Sequence, residues 1–209
     1  MNHREISKEI VIVILAALIL ALTISIADYS LFYTALISFI IIISVNVLVK
    51  KIIAYNLDTD IKIRFWEWYQ FGWKKTSHFN KPIPMIWLPI MLSYLTKGLV
   101  WWMAVLEFDV SPRTERVARR HEFYRFTDVT EWHIALIAAF GVISNLVLAV
   151  IGYLLGFESF ATLNIYYATW SLIPISSLDG SKILFGSRVL WITMLVVLLT
   201  TLIWGLIIF

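Results

Sequence analysis

The sequence predicts an all-α polytopic membrane protein, with about five transmembrane helices and a re-entrant or interfacial segment that carries a short strand-like element. Three observations lead there. Of the 209 residues 60% are hydrophobic, the mean hydropathy is +0.83, and the 15% that are charged crowd into a few connecting segments. A soluble domain is about half apolar and a quarter charged. No cysteine is present, which excludes disulfides, thiol catalysis and Cys-ligated zinc or iron–sulfur sites. The net charge is +3 and no DNA- or RNA-binding motif accompanies it, so membrane lipids, not nucleic acid, are the expected partners of the basic residues.

A spanning helix needs about 20 mainly apolar residues. The segments 9–27, 31–49, 132–155 and 188–208 satisfy this, and 158–177 does so less purely. The run from Ile10 to Ala27 is too long for a signal-peptide core and lacks a small-x-small cleavage site, so it is read as a retained first helix. Asp28-Tyr29-Ser30 closes one hairpin and Gly156-Phe157-Glu158 another. Residues 81–112 are ambiguous, because Pro82, Pro84 and Pro89 cap or kink a helix and Lys97-Gly98 interrupts the apolar run. The following LVWWMAVLEFDV is aromatic and β-branched, as a strand would be. RFWEWYQFGW at 64–73 suits an interfacial aromatic belt.

Charge selects the topology. Cytoplasmic connections carry the excess Lys and Arg. With a cytoplasmic amino terminus and a non-crossing 81–112 segment, all 17 Lys and Arg fall on the cytoplasmic side, the external turns hold only Asp28 and Glu158, and the carboxyl terminus lies outside. The expected location is the cell membrane, multi-pass.

An Asp beside a spanning helix is costly and is normally functional or paired, although Asp-Gly is also a common turn dipeptide. Around Asp179 the sequence SLIPISSLDGSKILFG resembles the NxxPxxxLDG signature of the site-2 protease family, the intramembrane zinc metalloproteases. Pro174, Leu178, Asp179 and Gly180 match, and Ser171 stands where that family has Asn. FGVISNLVLAVIGYLLG resembles the family's GPxxN helix through Gly141 and Asn145, with Val142 in place of Pro, and Asn164 falls where such proteins often carry Asn. The resemblance covers roughly 132–190. It implies a site-2-protease-like core formed by 31–60 and 132–190 in one membrane domain, 1–209. Residues 1–30 form its first helix, 61–131 a cytoplasmic and re-entrant connection, and 188–209 its last helix.

In that family Asp is the third zinc ligand after the two histidines of HExxH, whose Glu is the general base. HExxH is absent. The histidines are His3, His78, His121 and His133, and no two are four apart; His121-Glu122 begins such a motif but ends in Arg125. The family's continuation after HExxH fits Lys51-Ile52-Ile53-Ala54, which puts Asn46, Val47 and Lys50 at the His, Glu and His positions. A buried carboxylate needs a positive partner. Lys50, at a depth similar to Asp179 in this topology, either forms that ion pair in place of zinc or snorkels to headgroups.

His133 reads as an interfacial or first-turn residue, Thr127 to Glu131 as helix caps, and Asn145 as an interhelical hydrogen-bonding residue. The Arg113–Arg125 cluster either contacts anionic lipid or is a solvated face. The function implied is a catalytically inactive site-2-protease-like protein that binds membrane-protein segments or partner proteins, without a cofactor. An active zinc protease with an unusual ligand set, for instance His121 or His133 with Asp179, and a lipid-interacting or transporter-like protein are the alternatives. The client and the oligomeric state are not written in the sequence.

Overall fold

The computed structural model describes residues 3–70, 78–113 and 129–208. The helices are α1 (His3–Ser25), α2 (Phe32–Asn56), α3 (Leu88–Leu95), α4 (Glu131–Leu154), α5 (Glu158–Leu172), α6 (Asp179–Gly186) and α7 (Arg188–Ile208). Four strands, β1 (Thr59–Phe65), β2 (Glu67–Gln70), β3 (His78–Pro84) and β4 (Leu106–Pro112), lie between α2 and α4. Among the described residues, four stretches are long and apolar enough to cross a membrane: Glu5–Ser25, Tyr29–Asn56, Glu131–Leu154 and Arg188–Gly205. The chain is a mainly helical membrane protein.

Local chemistry sets the boundaries. The Asp28 carboxylate accepts from Ser30 N at 2.9 Å and caps the turn between α1 and α2, as an N-cap carboxylate does. Asp58, at φ 54°, turns the chain from α2 into β1 in the left-handed region that Asp tolerates better than most residues. Thr130 caps α4 by accepting from His133 N at 3.3 Å. Pro89 sits in the first turn of α3, where its missing N–H costs nothing.

The fifth expected span, 158–177, is not one long helix. α5 has 15 residues and ends at Leu172, because Pro174 disfavours helical geometry at Ile173, which adopts φ −65°, ψ 126°. At 1.5 Å per residue, α5 covers only about 22 Å of a hydrocarbon layer of about 30 Å. A turn and the short helix α6 complete the return, since a Cβ at Gly186 would lie 2.5 Å from Glu131 O and 2.4 Å from the Ala135 Cβ, at the start of α4.

Residues 81–112 make an excursion and come back. β1 pairs antiparallel with β4, Thr59 opposite Pro112 and Phe65 opposite Leu106, and β2 pairs antiparallel with β3. The strand element is thus two separate two-stranded ladders among the described residues, and β4 takes only the second half of LVWWMAVLEFDV. From β3 the chain climbs α1 through α3. Ser93 Oγ donates to Thr23 O at 2.6 Å, and a Cβ on Gly98, at φ +80°, would sit 2.6 Å from the Ala27 Cβ. The tip therefore lies at the Asp28 end of the bundle, before extended chain returns to β4. This corrects the charge reading at one residue, for Lys97 is at the Asp28 end.

The aromatic-belt reading of 64–73 is also corrected at Trp66, which is 0% exposed. It stacks on Trp102 at 5.7 Å, and Trp102 meets Trp170 at 4.5 Å, forming with Ala104 and Leu178 a second small core. Residues 71–77 lie outside the described residues.

Candidate functional site at the Lys50–Asp179 ion pair

Three elements build the site. α2 presents Asn46, Val47 and Lys50, α4 brings Gly141 against them, and α6 opens with Asp179. Lys50 Nζ lies 2.5 Å from Asp179 Oδ2, with side chains 8% and 6% exposed. One turn earlier, Asn46 Nδ2 donates to Gly141 O at 2.8 Å. Val47 is buried beside them.

Two glycines make this approach possible. A Cβ on Gly141 would lie 2.3 Å from Lys50 Cε and 3.2 Å from Asn46 Nδ2, so the missing side chain is the space the lysine stem occupies. A Cβ on Gly180 would lie 2.1 Å from Leu172 O, so glycine lets α6 begin directly beneath the end of α5. Ser176, at φ 50°, shapes the intervening turn, Pro174 is exposed there, and Leu178 is buried in the tryptophan core. Ser171 is buried at 6% exposure.

Residues not singled out in the sequence complete the surroundings. Phe108 of β4 has Lys50 Nζ at 5.0 Å and Lys182 Nζ at 3.8 Å from its ring centroid, so one aromatic ring faces two ammonium groups, a favourable arrangement. Lys182 Nζ also donates to Phe108 O. Burial pushes the Lys182 ammonium down to about 8, against the opposing pull of Asp179, and Lys50 adds to the downward shift. Glu107, 2% exposed, accepts from Ser177 Oγ and faces Arg64 at 3.4 Å; burial raises its pKa above the ordinary carboxylate value, opposed by Ser177, Lys182 and Arg64. The signal that could have found this region is the charge of Lys62 and Arg64 against Asp109 and Glu107, which the register places directly across from one another.

The remaining sequence candidates stand apart. Asn145 and Asn164 are 0% exposed. Asn164 Nδ2 donates within its own helix, to Phe160 O at 2.8 Å. The expectation that Asn145 bonds across helices is not met among the described residues, where neither its Nδ2 nor its Oδ1 has a partner. His133 sits in the first turn of α4, half-buried, and His121 with most of the Arg113–Arg125 cluster lies outside the described residues. Among the described residues no three His, Cys, Asp or Glu converge. The groups around Asp179 do not fit a zinc ion: an ammonium stands at its carboxylate, an amide one turn away is committed to a carbonyl, and the third side chain is alkyl. The arrangement can bind two helices together through charge.

In comparisons with known protein families, with characterised proteins and with solved structures, the chain matches none.

Proposed function

We propose that the chain is a catalytically inactive relative of the site-2 proteases, one that binds membrane-protein segments or partner proteins where a protease would hold its substrate. One observation carries the reading. Asn46 and Lys50, one helical turn apart, both abut Gly141, and Lys50 holds the Asp179 of the LDG sequence. In an active member two histidines four apart and this aspartate would share a zinc ion; here amide, alkyl and ammonium groups replace the ligands and the base. The matches at Gly141, Pro174, Leu178 and Gly180 support the same reading, because Gly141 and Gly180 each occupy a position that a Cβ would fill.

The reading carries an orientation. The amino terminus and the charged face of β1 and β4 lie in the cytoplasm, the carboxyl terminus lies outside, and 81–105 forms a re-entrant segment with its Lys97 tip toward the outer face. The test combines metal analysis and crosslinking. Purified protein is expected to contain no stoichiometric zinc, and a photo-crosslinker at exposed Ser176 is expected to capture a membrane-protein segment in native membranes. Zinc at one per chain would refute inactivity, and capture of lipid alone would favour a lipid-handling role.

A further inference from the structure

We infer that the bundle interior holds a file of ordered water running from the Lys50–Asp179 pair toward Asn164. This rests on interior hydrogen-bonding geometry and is independent of any kinship with proteases. Four buried side-chain atoms along this seam have no hydrogen-bond partner among the described residues: Asn145 Nδ2, Asn145 Oδ1, Asn164 Oδ1 and Asp179 Oδ1. Asn145 and Asn164 are 0% exposed and Asp179 is 5% exposed, so bulk solvent does not reach them. Leaving a buried amide without partners is unfavourable.

Helix registers align the orphans. Asn145 lies one turn beyond Gly141 on the same face of α4, the face that meets Asn46 and Lys50, which sets it level with Ile42 of α2. A Cβ on Gly152 would touch Phe160 and Ala161, which sets Asn145 level with Ala168 of α5 and Asn164 level with Ala149 of α4. By the same counting Ala149 faces Ser38, a buried hydroxyl on α2. From Ser38 to Lys50 the seam covers about 18 Å at 1.5 Å per residue.

The atoms select the ligand. Three orphans accept and one amide donates, so the occupant must supply protons for hydrogen bonds. Asp179 is already neutralised by Lys50, so the seam has no net negative charge to retain a cation. Water, which donates twice and makes about 2–4 bonds in protein interiors, meets both conditions.

X-ray hydroxyl-radical footprinting of the full chain in lipid nanodiscs tests this, because radicals form from bound water. Tyr167, 5% exposed and in the same stretch of α5, is the reporter. The expected result is modification of Tyr167 well above that of Phe39, 0% exposed, falling at least about fivefold in Asn145→Leu, with Asn164→Leu as the second variant if the first does not fold. A Tyr167 as inert as Phe39, or equally reactive in wild type and variants, overturns the inference. So does a rise in melting temperature in Asn145→Leu, which a dry orphan amide would give, or a stabilisation specific to sodium over choline chloride, which would mark a cation.

Discussion

Two regions carry ion pairs of the same chemistry in opposite surroundings. In the interior, Lys50 and Asp179 are 8% and 6% exposed and are held on α2 and α6 out of reach of bulk solvent. On the outer face of the β1–β4 ladder, Lys62 and Glu5 are 63% and 47% exposed, and Arg64 reaches Asp109 at 2.6 Å while 47% exposed. Burial is what separates them. Water competes for each exposed partner and salt screens the attraction, so an exposed pair orients a strand without holding it. In the interior, losing one partner strands the other in apolar surroundings. Of these pairs, the interior one can therefore determine which helices stay together.

The largest effect is expected from breaking that pair on one side. Lys50→Met should destabilise the protein by about 3–5 kcal/mol, read from thermal unfolding in detergent, while Lys50→Met combined with Asp179→Leu should recover most of the loss, because two apolar groups leave no stranded charge. Next comes the glycine that seats Asp179. Gly180→Ala drives a Cβ against the rigid Leu172 carbonyl and should cost about 1–3 kcal/mol. Gly141→Ala meets the flexible stem of Lys50 instead and should cost less.

A smaller effect comes from Lys182, whose position beside Phe108 joins the interior to the ladder. Its ammonium is held down at about 8 from 10.5, by burial and by Lys50, with Asp179, Glu107 and Asp109 pulling the other way. Between those values the unfolded chain binds more protons than the folded one, so this residue's contribution to stability rises with pH from about 8 to 10.5. Lys182→Met should flatten that part of the stability profile. Glu107 acts in the opposite sense: its raised pKa means the folded state binds more protons above the ordinary carboxylate value, and stability falls as pH climbs through that window. The smallest effect is expected from Lys62→Ala, which should leave the melting temperature unchanged within error at physiological salt.

How far these regions can be read from sequence differs for physical reasons. Long apolar runs and the turns at Asp28 and Gly156 mark α1, α2, α4 and α7, because membrane burial requires continuous hydrophobicity. The contact between Lys50 and Asp179 follows from the need of a buried carboxylate for a cation and from the depths of two helix ends. Hydropathy could not show that α5 stops at Leu172, since Pro174 breaks a helix without lowering apolarity. Nor could it place Lys97 at the Asp28 end, because a short helix followed by extended chain reaches across without resembling a span. Trp66 reads as interfacial by composition, and only the fold stacks Trp102 on it and brings Trp170 against Trp102. The grouping of Phe108 with Lys182 and Lys50 is not legible in sequence, because a ring shared by two ammonium groups is assembled from β4, α6 and α2, which are distant along the chain.

The central claim is that the Lys50–Asp179 pair stands in the place of a zinc ion. Asn46→His, Val47→Glu and Lys50→His together would set two imidazoles and a carboxylate of α2 against Asp179, and zinc stoichiometry of the purified wild type and this triple variant measures the claim directly. The prediction is about one zinc per chain in the variant and none in the wild type. Stoichiometric zinc in the wild type, or a folded variant that takes up none, would contradict it.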